Sequence, residues 1–266
     1  MPKVSVIMPV YNNDLFLSKA IESVLAQSFS DFELVIINDG STDNSSKIIK
    51  DYKNNDSRIV SIENVENRGL IYSLNTGIKK AQGNFIARLD SDDWWLDVDK
   101  LKKQVNYLEN NVECGLVGSF AKVFDQKEIE LYNLKYPTTD AEIRKEILIK
   151  NCFIHSSVLF RKSLTIVNGL YLEKEKYVED YGLWMRIGEK NKFANIPEYS
   201  VGYLLNEQGE TQKNNLRLIK ANLKLIKKYK IFYPNYFLGF LKWVFKYVLV
   251  YFGGLKIINK MKTAKL

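Results

Sequence analysis

The sequence has almost no histidine or cysteine. His155 is the single histidine, so no histidine cluster can hold a metal, and any Ser-His-Asp triad would need this ring. The two cysteines, Cys114 and Cys152, lie far apart in the chain, which excludes a CxxC redox motif and a disulfide framework and favours a reducing, cytosolic compartment. A zinc site built from these three residues stays open, although structural zinc sites normally show closely spaced ligand pairs.

Several nucleotide-binding and targeting patterns are also absent. The chain contains neither GxGxxG nor GxxxxGK[ST], so any bound phosphate must be held by another device. Its first residues enter a strand-like pattern at once, without the long apolar core of a secretory signal. Because 46% of the residues are hydrophobic and 26% are charged, we expect a folded globular protein rather than a disordered or fibrous one.

Acidic residues are missing from the last part of the chain. From Thr211 to Leu266 there are thirteen Lys or Arg and no Asp or Glu, whereas residues 1–210 carry 26 basic and 31 acidic residues. We therefore divide the chain into an acidic body, 1–210, and a basic tail, 211–266.

The tail is aromatic as well as basic between residues 231 and 255, and its longest uncharged run is too short for a helix to cross a bilayer. This pattern favours peripheral contact of residues 231–266 with the inner face of an anionic membrane. Alternatively, the apolar side packs on the body or on a second copy in a homodimer, and Gly253-Gly254 could end the helix. No nucleic-acid-binding module accompanies the charge, so we expect no nucleic-acid partner. In a helix, four lysines would share one face: Lys242, Lys246, Lys256 and Lys260.

The body predicts an α/β fold. Short apolar runs alternate with stretches of helical periodicity, which indicates a mostly parallel sheet with helices on both faces. The predicted strands are 4–10, 32–37, 59–62, 85–89, 115–120 and 156–160, with a further strand-rich region to 132. The predicted helices are 15–27, 43–53, 69–81, 97–109 and 140–149, with another that begins near 180.

Polar clusters follow three of these strands directly. They are Tyr11-Asn12-Asn13, Asn38-Asp39-Gly40-Ser41 and Asp90-Ser91-Asp92-Asp93. Ligands of an open parallel sheet bind beyond the carboxyl ends of its strands, so we expect these clusters to meet in space.

The carboxylates of Asp90, Asp92 and Asp93 are close enough in sequence to repel one another unless a cation or hydrogen-bond donors compensate them. Mg²⁺ or Mn²⁺ would do this, together with substrate phosphates. The alternative is a solvated cap for the next helix.

A second carboxylate pair, Glu179-Asp180, precedes an apolar helical pattern. It is either another helix cap or the place of a general base within reach of an acceptor hydroxyl. His155 is either a hydrogen-bonded core imidazole or a ligand of a metal or phosphate.

Taken together, these motifs make the sequence resemble the family 2 inverting glycosyltransferases with the GT-A fold. Seven segments match in order over roughly residues 3–190. They are VSVIMPVYN at 4–12, AIESVLAQSF at 20–29, ELVIINDGSTDNS at 33–45, ENRGL at 66–70, NTGIKKAQGNFIARLDSDD at 75–93, FIHSSVLFRKS at 153–163 and VEDYGLWMRI at 178–187.

The resemblance implies a metal-dependent enzyme that uses Mn²⁺ or Mg²⁺. It would transfer a sugar from a nucleotide-sugar donor to a glycan or lipid-linked acceptor in surface polysaccharide biosynthesis. The expected donor is a UDP-sugar. It also implies a catalytic domain over 1–210, whose donor half is 1–112 and whose acceptor half is 113–210.

Individual residues take roles from the same resemblance. Asp180 matches the catalytic base and Glu179 its partner, while Asp93 and Trp184 fall in the acceptor region. The metal ligands would be Asp92, Asp90 and, in some relatives, His155. The donor would contact Pro9, Tyr11, Asn12, Asp39, Asn67, Arg68, Gly69, Asp90 and Ser91, with the Tyr11 ring against the base and Asp39 at the base edge.

One departure concerns the acceptor pocket. Many relatives read EDxDLWLR, and Gly182 stands where the second Asp is often found. Two other functions remain as alternatives. A nucleotidyltransferase would show a Gly-rich basic loop after the first strand, and a non-catalytic nucleotide-sugar-binding protein would have lost an acidic motif; neither is seen here.

Overall fold

The structure is a computed structural model, and it describes residues 1–205 and 215–252. Its first half alternates strands and helices as the sequence predicts. The strands are β1 (Val4–Val10), β2 (Phe32–Asn38), β3 (Ile59–Glu63) and β4 (Phe85–Arg88), and the helices between them are α1 (Asp14–Leu25), α2 (Ser45–Asn55) and α3 (Leu70–Lys80).

The second half mixes shorter elements. The strands are β5 (Trp94–Trp95), β6 (Cys114–Phe124), β7 (Glu130–Leu134), β8 (Leu159–Arg161) and β9 (Lys192–Leu204). The helices are α4 (Lys100–Asn110), α5 (Asp140–Glu146), α6 (Ser163–Asn168) and α7 (Glu179–Gly188), with 3₁₀ turns at His155–Ser157 and Glu173–Glu175.

Within residues 1–205 and 215–252, nine strands form one sheet in the order β3-β2-β1-β4-β8-β6-β9-β5, with β7 paired to β6. Strands β3, β2, β1 and β4 are mutually parallel, and β8 joins them to β6 through antiparallel pairs on both sides. Because β1, β2 and β4 run the same way, the polar residues after them emerge at one edge of the sheet.

The core lies on both faces of this sheet. Successive residues of a strand point to opposite faces, so Ile7 joins one apolar cluster with Val35 and Leu74, whereas Val6 and Met8 join the other. Helices cover both faces, which explains why every residue of β1 and β2 is buried. The predicted α/β architecture is confirmed.

Two predictions for single segments are wrong. The sequence predicts a strand over 156–160, but β8 begins only at Leu159, and residues 155–157 form a 3₁₀ turn in which the backbone N–H of Ser157 donates to Ile154 O over 2.9 Å. The sequence also predicts no strand at β9, which mixes polar residues with Pro197 and is held by its pairing with β6 and β5.

The described part of the tail consists of α8 (Asn215–Tyr229) and α9 (Tyr236–Tyr251). Its buried side chains join the core of the body, among them Ile226, Tyr233 and Trp243. Packing on the body, one of the alternatives from the sequence, therefore occurs. Among residues 1–205 and 215–252, no helix combines the length and apolar composition that crossing a bilayer requires. Lys256, Lys260 and Gly253-Gly254 lie outside the described residues.

Candidate active site

A cavity of about 670 Å³ lies at the carboxyl edge of β1 and β2, and we call it the main cavity. One wall contains six residues that the sequence assigns to the donor: Pro9, Tyr11, Asp39, Asn67, Arg68 and Gly69. The opposite wall is formed by Glu173, Lys176, Tyr177 and Glu179, from the stretch that leads into α7. A second cavity of about 640 Å³ lies elsewhere, around Lys3 and Arg161, and includes none of the predicted site residues.

The loops after β1 and β2 are tied together at the mouth of the main cavity. Asn12 takes a positive φ of 47°, its side-chain oxygen accepts from the Thr42 N–H over 2.7 Å, and its own N–H donates to Ser41 Oγ over 3.0 Å. Tyr11 remains 49% exposed, so its ring is available to stack on a flat ligand.

Asp39 organises the loop that carries Asn67, Arg68 and Gly69. Its Oδ1 accepts from the Arg68 N–H over 3.0 Å, and its Oδ2 accepts from the Gly69 N–H over 2.8 Å. Gly69 has a φ of 88°, which favours glycine at this position. The guanidinium of Arg68 then lies over the Tyr72 ring, 4.1 Å from its centroid. Asp39 thus shapes one wall of the main cavity through backbone contacts.

The acidic cluster after β4 is organised by a buried arginine. Arg88 is 1% exposed, pairs with Asp90 and also donates to Ile7 O over 3.2 Å. Burial by itself would raise the pKa of Asp90, but the charge of Arg88 and a hydrogen bond from Ser156 hold that pKa below its usual value. Ser91 accepts a hydrogen bond from Asn13 Nδ2 over 2.9 Å, which links this cluster to the loop after β1.

Asp92 has a different environment from Asp90. Burial, together with the negative charge of Asp90, raises the pKa of Asp92 to about 6. Two adjacent carboxylates that repel each other in this way would both be stabilised by a cation.

Asp93, which the resemblance places in the acceptor region, is buried in the fold. It is 2% exposed, and its oxygens accept from Ser156 Oγ and from the backbone N–H of Leu204, the latter over 2.9 Å. Burial raises its pKa well above the usual range. Asp93 connects β9 to the acidic cluster and has no surface on which to contact a substrate.

The chemistry of the acidic cluster suits Mn²⁺ or Mg²⁺ only if a substrate completes the ligand set. No group of three or more His, Cys, Asp or Glu side chains gathers as a metal site in the part of the chain that the structure describes. This finding also leaves the zinc alternative without support there. Mg²⁺ is commonly held by one or two carboxylates, with phosphate oxygens and water as the other ligands, and Asp92 and Asp90 fit that pattern.

Glu179 and Asp180 begin α7. Asn151 donates to Asp180 Oδ2 over 2.9 Å. Burial raises the pKa of Asp180 to about 6, and burial with the charge of Asp180 raises the pKa of Glu179 to about 7. The charge of Asp90 contributes to both increases. The two acidic motifs, which are far apart in sequence, therefore lie close enough to interact electrostatically.

His155 and Trp184 lie behind the site. Burial and the nearby Arg88 lower the pKa of His155 to about 3, so its imidazole is neutral, and its Nε2 is 2.9 Å from the Tyr171 hydroxyl. His155 does not join Asp90 and Asp92 in a three-ligand metal site. Trp184 is fully buried and its ring packs on His155, with ring centroids 5.9 Å apart. Trp184 therefore has no exposed surface with which to contact an acceptor directly, and its place in the acceptor region, which the resemblance implies, stays a prediction.

Sequence reasoning missed three residues of the site. Arg88 carried a signal, because a charged residue inside an apolar strand needs a buried partner. Asn151 and Tyr171 carried none, since they meet Asp180 and His155 only through folding.

Comparisons with known proteins agree with this architecture. The family model described as glycosyl transferase family 2 matches residues 5–166. The chain is 35% identical over 218 residues to the O-antigen biosynthesis glycosyltransferase WbnJ of Escherichia coli, and the match covers 80% of this chain and 83% of WbnJ.

Two solved structures share the fold. The mannosyltransferase PcManGT from Pyrobaculum calidifontis, in complex with GDP-Man and Mn2+, matches with a TM-score of 0.69 at 17% identity over 99% of this chain and 79% of that one. S. aureus TarS 1-349, in complex with UDP-GlcNAc, matches with a TM-score of 0.67 at 20% identity over 84% of this chain and 66% of that one. At these identities the likeness concerns the fold alone, and it confirms the GT-A expectation.

Proposed function

The chain belongs to glycosyl transferase family 2 and is a glycosyltransferase, and from this premise we propose that it transfers a hexosyl or N-acetylhexosaminyl group from a nucleoside-diphosphate sugar to a hydroxyl group with inversion at the anomeric carbon. The observation that carries this proposal is the main cavity itself, which Tyr11 and Arg68 line on one side and Glu179, at the start of α7, lines on the other. One side would serve the donor, and the other would serve the acceptor.

The donor is a nucleotide sugar, and we propose a UDP-sugar. The exposed ring of Tyr11 offers a stacking surface for the base. Asp39 lines the same wall, and since its oxygens already accept from the Arg68 and Gly69 N–H groups, it would reach the base edge through a remaining lone pair. Asn67, Arg68 and Gly69 would bind the nucleotide and diphosphate, where the guanidinium supplies positive charge. Asn12 would contact the nucleotide beside Tyr11, from the loop that it ties to Thr42. The complexes of TarS with UDP-GlcNAc and of PcManGT with GDP-Man support a nucleotide-sugar ligand of this kind.

Asp180 is the proposed base. Its carboxylate takes the proton of the acceptor hydroxyl while that oxygen forms a bond to the anomeric carbon. The bond from this carbon to the phosphate oxygen breaks on the opposite side, and the nucleoside diphosphate leaves with the electron pair. Asn151 keeps Asp180 oriented and favours its ionised form, while Glu179 lines the main cavity beside it.

We propose that Asp92 and Asp90 hold Mn²⁺ or Mg²⁺ together with the donor phosphates. When bound, the ion supplies positive charge for the leaving diphosphate. Arg88 keeps Asp90 ionised, and Asn13 orients the loop through Ser91.

The acceptor is proposed to be a growing glycan or lipid-linked sugar in surface polysaccharide biosynthesis, in line with the similarity to the O-antigen biosynthesis glycosyltransferase WbnJ. The catalyst would act in the cytoplasm, held on the inner face of the membrane by residues 231–266. In the described part of this stretch, α9 buries Trp243 but exposes Phe237, Leu241 and Phe245. No acidic residue occurs there, which suits anionic lipid. The alternative is that a second copy of the chain covers this face of α9 in a homodimer.

A panel of UDP- and GDP-sugars tests the reaction. With Mn²⁺ present, we expect slow hydrolysis of one donor by the wild-type protein and its loss in Asp180→Asn, with UDP binding changed less than about threefold. Asp51→Asn, an exposed carboxylate on α2, is the matched control and should behave as wild type. Full activity of Asp180→Asn would overturn the assignment of the base.

A further inference from the structure

Position 182 is tightly enclosed. A Cβ atom at Gly182 would lie 2.2 Å from Oε2 of Glu175, which is closer than real atoms approach. A side chain at this position is therefore incompatible with Glu175 in its observed place. The carboxylate of Glu175, from another part of the chain, fills the space that a side chain at 182 would need.

Glu175 joins two helices. It is 6% exposed, and its carboxylate pairs with Arg186 of α7 and with Lys228 of α8, the latter at 3.3 Å. The other amino group of Arg186 donates to Leu170 O over 2.7 Å. Buried charges of this kind are costly to leave unpaired. The ion pairs of Glu175 therefore hold its own segment against both α7 and α8.

These ion pairs lie directly behind one wall of the main cavity. We call residues 173–179 the wall segment. Glu173, Lys176, Tyr177 and Glu179 line the main cavity, whereas Lys174, Glu175 and Val178 face α8 on the other side.

The wall segment is strained, and α8 contacts it a second time. Tyr177 has a φ of 75°, which is unfavourable for a bulky residue and persists only where the surroundings enforce it. Its hydroxyl accepts from Arg217 Nη1 of α8 over 3.3 Å.

We propose that Glu175 is a positioning residue. Its pairs with Arg186 and Lys228 fix the wall segment against α7 and α8, so that the tail helix shapes the main cavity. This inference rests on the proposed function only where its tests measure the binding of UDP or of the donor. The contacts themselves concern the fold.

Moving the carboxylate from position 175 to position 182 tests whether a carboxylate at this place holds the wall segment. An aspartate at 182 would stand four residues before Arg186 on α7, a spacing at which opposite charges pair. We expect Gly182→Asp and Glu175→Gly each to speed amide hydrogen exchange of the wall segment on the order of tenfold and to weaken binding of UDP with Mn²⁺ about fivefold. The double variant should return to within about twofold of wild type in both. Effects in the double variant as large as in either single variant would overturn the proposal.

A milder variant tests the link to the tail if the swapped proteins do not fold. Lys228 is 49% exposed, and Glu175 keeps Arg186 when this lysine is removed. Lys228→Gln should speed exchange of the wall segment about threefold and raise the KM for donor with kcat unchanged, and Lys228→Arg should restore both. Lys227→Gln, at an exposed lysine of the same helix, should match wild type. Identical behaviour of Lys228→Gln and Lys227→Gln would overturn the link.

The two proposals fail separately. If the wild-type protein binds neither UDP nor GDP, the proposed function is wrong, whereas the exchange measurements still decide whether Glu175 holds the wall segment.

Discussion

Nδ2 of Asn151 donates a hydrogen bond to Oδ2 of Asp180 over 2.9 Å, at the start of the helix that carries the proposed base. This bond favours the ionised carboxylate and opposes burial and the charge of Asp90, both of which favour the protonated form. The balance leaves the pKa of Asp180 at about 6.

The first prediction concerns the pH dependence of transfer. A base must be ionised, so the rate should fall as the pH drops through about 6. Asn151→Ala removes a bond that stabilises the carboxylate, and the acidic limb of kcat/KM should therefore move up by about 0.5 to 1 pH unit. Asn55→Ala, at an exposed position on α2, serves as the control. An acidic limb at the same pH in Asn151→Ala would show that Asp180 is not the titrating base.

The second prediction concerns Mn²⁺. The pKa of Asp92 is raised to about 6, and a metal ligand must be deprotonated, so Mn²⁺ affinity in the presence of UDP should decline as the pH falls below 6. Asp92→Asn should weaken Mn²⁺ binding at pH 7.5 by about tenfold or more, measured by calorimetry. Asp31→Asn, an exposed carboxylate, should bind as wild type. Unchanged Mn²⁺ affinity in Asp92→Asn would remove this residue from the site.

The third prediction concerns a buried lysine outside the site. Lys100 is 1% exposed, and burial lowers its pKa to about 7, with only partial compensation by Asp97. Between pH 7 and about 10.5 the unfolded chain holds a proton that folded Lys100 does not, so this group makes stability rise with pH across that window and penalises folding most below 7.

Lys100→Met should therefore raise the free energy of unfolding at pH 7 by on the order of 3 kcal/mol, less the lost bond to Gln104, and the gain should shrink toward pH 10. Denaturant titrations at pH 7 and pH 9.5 measure this difference. Lys102→Met, at an exposed position on the same helix, should show neither the gain nor its pH dependence. A destabilised Lys100→Met protein at both pH values would mean that Lys100 contributes through its contacts instead.

The fourth prediction concerns the exposed face of α9. Replacing Phe237, Leu241 and Phe245 by Ser should lower binding to vesicles that contain phosphatidylglycerol by at least about a hundredfold, because each side chain loses its apolar burial in the lipid. The melting temperature should be unchanged, since all three side chains are exposed. Deleting the whole stretch is a poorer test, because it would also remove buried Trp243.

The control for this triple variant replaces three exposed apolar residues of the body, Val112, Ile129 and Val167, by Ser. It should keep vesicle binding. Equal binding by both triple variants would exclude this face as the lipid contact, and a change of molar mass in solution for the α9 variant alone would favour the homodimer.

Much of the first half of the fold could be predicted. Strand β1 is apolar except for Ser5 and α3 has strong helical periodicity, so local patterns were sufficient, and the polar residues after β1, β2 and β4 could be placed at one edge. Strand β9 could not be predicted, because its polar residues and Pro197 break the alternation and only pairing with β6 makes it a strand.

The candidate site divides in the same way. Tyr11, Arg68 and Glu179 line the main cavity, because Tyr11 directly follows β1, Arg68 lies just before α3 and Glu179 is the first residue of α7. Asp93 and Trp184 belong to the same motifs but are buried, since α7 turns part of its sequence into the core and Asp93 binds the backbone of β9.

The sequence by itself determined the alternation of strands and helices, the acidic motifs at their ends and the separation of charge between body and tail, because each depends on neighbouring residues. Only the tertiary structure decided which carboxylates are ionised, which are buried and which touch. Arg88 on Asp90, Asn151 on Asp180 and Glu175 in the space left by Gly182 are contacts that form only when the chain has folded.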